Sequence, residues 1–261
     1  MSLGELLASA RRGHDGALDV TVPETWLQGR TAYGGLSAAL ALEAARCLLP
    51  QVAPLRSAQI AFVGPVTGAV TAKPRILRQG RNALWIGVQI TSAERVVLAA
   101  TFVFMQPLDS AAVIASPRPP ADLVDPAEAA VADSDQRPAF LRHHFETRYA
   151  LPKAPSPQPD ICLWVRLLDR GGLHPETELL LIGDALPPAV LPVMPVRGPV
   201  SSMTWQINLF AGAAAAEGEG WWLLRSSADE AARGTSSQHM MIWDAQGRPG
   251  ASGTQTVAVF A

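Results

Sequence analysis

Residues Gly34 to Leu49 read GGLSAALALEAARCLL, with Glu43 and Arg46 the only charges. A helix that is apolar or small on nearly every face is stable only when something covers it all the way round. The segments that follow can supply that cover. AQIAFVGPV, AVTAKPRILRQG and ALWIGVQITSAERVVLAATFVFMQP are rich in β-branched residues and punctuated by glycine and proline. They predict an antiparallel meander, with SAER as one hairpin turn.

The same order then recurs. From Asp109 to Gln136 the composition shifts to alanine, proline and aspartate without a sustained hydrophobic period, which predicts a linker or surface crossover over 109–144. It would separate an N-terminal unit, 1–108, from a C-terminal unit, 145–261. A second helix is expected from Glu176 to about Val190, followed by SSMTWQINLFAG, WWLLRSSADEA and GTSSQHMMIWDAQGRPGASGTQTVAVF. DAQGRPG stands where SAER stands in the first half. An internal duplication is therefore expected, carried by pattern rather than identity.

Composition narrows the function classes. Twenty-one basic against 23 acidic residues give a formal charge of -2, and no basic cluster marks a nucleic-acid or anionic-membrane surface. Cys47 and Cys162 lie far apart among leucines, which suits free thiols in a reducing compartment. The N-terminal MSLGELLASARRGHDG lacks the layout of a secretory signal, and no apolar run is long enough to span a membrane. A cytoplasmic protein is expected. The histidines, His14, His143, His144, His174 and His239, show no H-x-x-x-H spacing, and neither a phosphate-cradling glycine loop nor a G-x-S-x-G elbow occurs. No metal or cofactor is expected. The adjacent tryptophans of GEGWWLL suit core or interface packing.

ELLLIGDALPPAVLP, residues 178–192, places one aspartate, Asp184, in an apolar stretch. An ionised carboxylate there costs several kcal/mol unless partners compensate it. GRTAYGGLSAALALEAARCLLP and LRSAQIAFVGPV resemble the opening half of the acyl-CoA thioesterase II family, and the second half resembles its closing half. The resemblance implies an α+β double hotdog, with two antiparallel sheets each wrapped around a long central helix. It also implies hydrolysis of an acyl-CoA thioester by an activated water. The catalytic set carried over is Asp184 in LIGDAL, Ser202 in VSSMTWQINLF and Gln255 in ASGTQTVAVF. Thr204 stands where the family often has an acidic residue, so Ser201, Ser202 and Thr204 compete for the hydroxyl role. Regular alternation would put Ser202 and Thr204 on one face and Ser201 on the other.

Further expectations attach to this site. The Gly34-Gly35 pair would allow close approach and offer N–H groups to an oxyanion, with Tyr33 and Thr204 beside the substrate. Trp26, Tyr33, Trp85 and Trp205 are candidate lining residues for a short or aromatic acyl group. In the first half, the places of Asp184 and Gln255 fall near Gly35 and Phe102, so one site per chain is expected. TFVFMQ and HMMIWDA carry apolar residues on both faces, which predicts a homo-oligomer, most simply a dimer. The alternatives are a non-catalytic hotdog that binds acyl-CoA or a hydrophobic metabolite, and a hydratase or dehydratase pairing Asp184 with His174.

Overall fold

The computed structural model describes residues 1–49, 51–132, 137–196, 198–211 and 218–260. The first half comprises α1 (Leu3–Ser9), β1 (Arg11–Arg12), β2 (Leu18–Thr21), β3 (Leu27–Gln28), β4 (Thr31–Ala32), α2 (Gly34–Leu48), β5 (Leu55–Phe62), β6 (Ala69–Gln79), β7 (Ala83–Ser92) and β8 (Arg95–Met105). The second comprises α3 (Ala139–His144), β9 (Phe145–Tyr149), β10 (Asp160–Leu167), α4 (Pro175–Gly183), β11 (Val200–Leu209), β12 (Trp222–Ala232), β13 (Thr235–Asp244) and β14 (Pro249–Val259). β7 and β8 are joined through Ala93 and Glu94, both at positive φ, the two-residue turn that matches strand twist.

Twelve strands form one antiparallel sheet in the order β1-β2-β6-β7-β8-β5-β11-β14-β13-β12-β10-β9. This corrects the expectation of two sheets. β5 and β11 pair antiparallel, with Gln59 opposite Gln206, so the edges that two separate sheets would leave open satisfy each other. The order reads the same from either end under exchange of the halves, β5 for β11, β8 for β14, β7 for β13 and β6 for β12. The duplication is thus visible as a pseudo-twofold centred on the β5–β11 pair.

α2 lies against the inward face of β6, β7 and β8 and against α4. Gly35 through Leu42 are all buried, as the all-round apolar sequence requires. The second helix departs from expectation. It ends at Gly183, because Pro187 and Pro188 follow so closely that the residues before them are pushed out of helical geometry. α4 runs antiparallel to α2. Tyr33 at the start of α2 donates its hydroxyl to the Leu181 carbonyl near the end of α4, at 2.6 Å. At the other ends Arg46 pairs with Glu176 and Thr177 donates to Glu43 at 2.5 Å.

Among the described residues, no helix or strand lies between Met105 and Ala139 apart from a single bridge, Val131 to Arg148; residues 133–136 of the expected linker lie outside the described residues. The crossover lies over the outward face of the second half. The indole N–H groups of Trp164 and Trp243 donate to the carbonyls of Val124 and Pro117, over a second apolar cluster that includes Trp221, Leu223 and Ala129. The two tryptophans of GEGWWLL therefore serve two cores. Trp221 packs under the crossover and Trp222 packs in the main core. HMMIWDA owes its second apolar face to this cover, which removes the reason for expecting that face at a subunit contact.

Candidate active site

Asp184 caps the C-terminus of α4. Because the helices are antiparallel, that end meets the N-terminus of α2. The Gly35 N–H donates to the Asp184 carboxylate, and Gln255 Nε2 of β14 donates to its Oδ1 at 2.5 Å. A Cβ at Gly34 would strike Asp184 Oδ2 and crowd the Phe62 ring, so it could be seated only by displacing the carboxylate. At Gly35 a Cβ would meet the Leu181 carbonyl and the Tyr33 ring. The glycine pair is thus what lets α2 begin against the carboxylate.

Opposing effects act on Asp184. A hydrogen bond to a charged group contributes about 1.5–3 kcal/mol, and a helix N-terminus favours an anion. Loss of hydration acts the other way and wins. Burial pushes the Asp184 carboxyl up to about 7, against lowering by Gln255 and Gly35. As a residue Asp184 keeps intermediate exposure, so solvent reaches it although protein atoms crowd the carboxylate. Tyr33 is fully buried, and burial, then the nearby Asp184, holds its phenol well above the ordinary tyrosine value.

Gln255 is itself held. Its Oε1 accepts from Gln238 Nε2 at 2.7 Å, and Gln238 Oε1 accepts from the Ala189 N–H at 2.8 Å. Both amides are buried. Sequence reasoning missed Gln238. The available signal was alternation in β13, since Gln238 shares the inward phase of Met240 and Ile242 and stands opposite Gln255 across the hairpin.

The other candidates divide. Ser202 pairs with Val257 on the neighbouring strand, two residues from Gln255. Both Val257 and Gln255 are buried, so Ser202 is on the inward face. Its hydroxyl bonds neither Asp184 nor Gln255 among the described residues. Thr204 is exposed and pairs with Thr256. A bulge between Ser202 and Thr204 takes up one residue and turns Thr204 outward with Gln206, so the expectation that Ser202 and Thr204 share a face is overturned, and Thr204 stands on the opposite face of the sheet from Asp184. Ser201 is exposed too, which leaves Ser202 as the hydroxyl on the Asp184 side.

Trp205 is buried opposite Gln255 and against Gly183, and Tyr33 adjoins Asp184. Trp85 is on the outward face under Arg78, while Trp26 is stacked on His144 and bonded to the Met1 carbonyl, so neither borders the carboxylate. His174 caps the opposite end of α4, accepting from the Glu176 N–H at 3.2 Å, roughly 15 Å along the axis from Asp184. An Asp184–His174 pair does not form. Two larger surface grooves, one near α1 and β2 and one on the outward face around Gln59 and Gln206, do not include Asp184. The site is picked out by a hydrogen-bonded carboxylate, not by groove size.

A similar architecture recurs in solved structures. A conserved protein of unknown function with hot dog fold from Alicyclobacillus acidocaldarius aligns with TM-score 0.88 at 18% identity, covering 100% of this chain and 99% of that one. The tesB protein of Mycobacterium avium subs paratuberculosis aligns at 0.80 and 17% identity over 100% of both chains. The acyl-CoA thioesterase II TesB2 of Mycobacterium marinum aligns at 0.74 and 17% identity, covering 100% of this chain and 97% of that one. At these identities the likeness establishes the hotdog fold alone. No curated protein matches. Residues 22–105 match the acyl-CoA thioesterase N-terminal domain. Residues 120–259 match the acyl-CoA thioesterase C-terminal domain, and with more than half of the sequence in that second match alone, the chain belongs to the acyl-CoA thioesterase family.

Proposed function

We propose that this protein hydrolyses an acyl-CoA thioester to a free carboxylic acid and CoA, with Asp184 as general base. The observation that carries the reading is a carboxylate held between a helix N-terminus and a buried amide, with burial raising its pKa to about 7. A base poised near the working pH combines the ionised form with real proton affinity. In the proposed step a water on Asp184 adds its oxygen to the thioester carbonyl carbon while its proton passes to the carboxylate. The C–S bond then breaks, and the CoA sulfur leaves with the proton from Asp184. Gln255 holds the carboxylate, and Ser202, on the same inward face, completes the water's hydrogen bonds. First-turn N–H groups of α2 other than that of Gly35, which is bonded to Asp184, are placed for the developing oxyanion.

No helix of the described residues is long and apolar enough to cross a membrane. Residence in the cytoplasm, without nucleic-acid or membrane partners, and assembly into a homo-oligomer belong to the same proposal, as does a division into units 1–108 and 145–261. The test is thiol release from acyl-CoA esters across a range of chain lengths. Turnover of at least one ester by the wild type, and its loss in Asp184→Asn, is the expected result. Ester binding without thiol release would identify the non-catalytic alternative.

A further inference from the structure

The side-chain amide of glutamine is nearly symmetric in shape and opposite in chemistry at its two ends. An ionised Asp184 can only accept, so Gln255 supports it only with the NH2 end forward. Nothing in Gln255 itself enforces that direction, because a turned amide would fill the same space and present a carbonyl to the carboxylate. The direction must come from the far end.

Gln238 stands opposite Gln255 in the β13–β14 register, 1% exposed. Its Oε1 accepts from the Ala189 N–H and its Nε2 donates to Gln255 Oε1. A backbone N–H can only donate, so the first link of this chain cannot be reversed, and each later link inherits its direction. Ala189 directly follows the Pro187-Pro188 pair that ends α4, so the segment that breaks the helix also supplies the anchor. The corresponding row of the first half contains no such pair. With Ala58 in the place of Trp205, Phe102 and Ile86 stand where Gln255 and Gln238 stand.

We propose that Gln238 is a positioning residue which, anchored on the Ala189 N–H, fixes the Gln255 amide with its NH2 group toward Asp184 and thereby holds that carboxylate ionised and oriented toward water. The inference rests on the reading of Asp184 as the base. Tyr33 is the titratable side chain that faces Asp184 from the start of α2. Phe62 from β5, Trp205 from β11 and the two glutamines from β14 and β13 carry no proton in this range.

Two variants and two readouts test it. Gln238→Met keeps the length and removes both bonds, and Gln238→Glu keeps the acceptor for Ala189 but loses the donor to Gln255 once ionised. Each should lower kcat at pH 7 by about tenfold, leave KM within about twofold, and move the acid limb of kcat upward by roughly one pH unit. A merely space-filling Gln238 would lower melting temperature and leave the limb in place. The second readout needs no turnover. The Gln255 side-chain NH2 resonance, identified by its loss in Gln255→Met, should exchange slowly in the wild type and titrate with a midpoint near the Asp184 value, and the midpoint should rise in whichever variant is folded. A wild-type protein without thioesterase activity would remove the proposed function and leave this resonance to decide on Gln238. Variants that keep the wild-type limb, kcat and amide midpoint would overturn the role of Gln238 alone.

Discussion

Asp184 is destabilising for the same reason that it would be useful in the proposed reaction. Its folded pKa of about 7 lies above the ordinary 3.8, so between those values the folded protein holds a proton that the unfolded chain has released. By linkage, the stabilising contribution of this proton is complete below the ordinary value and is lost as pH rises through about 7. Asp184→Asn has no such proton to lose. The melting temperature of the variant relative to wild type should therefore climb between pH 5 and pH 8, where each 1 kcal/mol is worth roughly 2–4 °C in a chain of this size. Scans at the two pH values that gave the same difference would contradict a raised native pKa. In activity the sign reverses, since the base works only when ionised. Turnover by the wild type should rise with pH through about 7 and then level. Asp184→Asn should lose about 100-fold or more at the plateau, and an undiminished variant would end the assignment. On the proposed role, stability and catalysis pull this one residue in opposite directions, the trade expected of a functional carboxylate.

At the scale of elements, the antiparallel crossing of α2 and α4 decides where the charge can be held. The end of α4 presents carbonyls, which disfavour a carboxylate, while the start of α2 presents N–H groups, which favour it. Only the absence of side chains at Gly34 and Gly35 lets the second effect act. Gly34→Ala should be tolerated by the helix, where alanine is about 1 kcal/mol better than glycine. Its methyl group would nonetheless displace the Asp184 carboxylate, so we expect at least a tenfold fall in kcat with the melting temperature within a few degrees of wild type. Normal kcat in that variant would show that the close approach is dispensable. The bulge in β11 gives a second contrast: Ser202→Ala should reduce kcat, whereas Thr204→Ala, on the outward face, should match the wild type in the same thiol-release assay. Much of this was legible in the chain. The all-round apolar GGLSAALALEAARCLL required a helix covered on nearly every side, as α2 is, SAER required a tight turn, and Asp184 and Gln255 do meet. What stayed hidden depends on partners distant in sequence. The join of β5 to β11 is a pairing of edges, the bulge that reverses Thr204 is a matter of register, and apolar residues running on to Val190 masked the early end that Pro187 and Pro188 impose on α4. Gln238 was passed over because a buried glutamine looks like a surface one until its neighbour across the hairpin is known.

The whole molecule is symmetric in strand order and sharply asymmetric in chemistry. Across the pseudo-twofold, the row Trp205, Gln255, Gln238 on β11, β14 and β13 corresponds to Ala58, Phe102, Ile86 on β5, β8 and β7. Phe102 and Ile86 are completely buried and can neither orient an amide nor stabilise a carboxylate. Gly35, expected near the place of Asp184, touches Asp184 itself. The first half therefore contributes its helix N-terminus to the site of the second half, and the reciprocal end of the helix pair, where Glu43 accepts from Thr177 and Glu176 pairs with Arg46, has no amide row and no anchor beside it. Each chain should hold a single catalytic centre that needs both halves. Calorimetric titration with a non-hydrolysable acyl-CoA analogue should give one analogue per chain whatever the oligomeric state found by light scattering. Replacing Gly34, in the first half, should impair that one centre. A stoichiometry of two equivalent sites, or a C-terminal half fully active without the first, would show that the symmetry of the backbone extends to the chemistry after all.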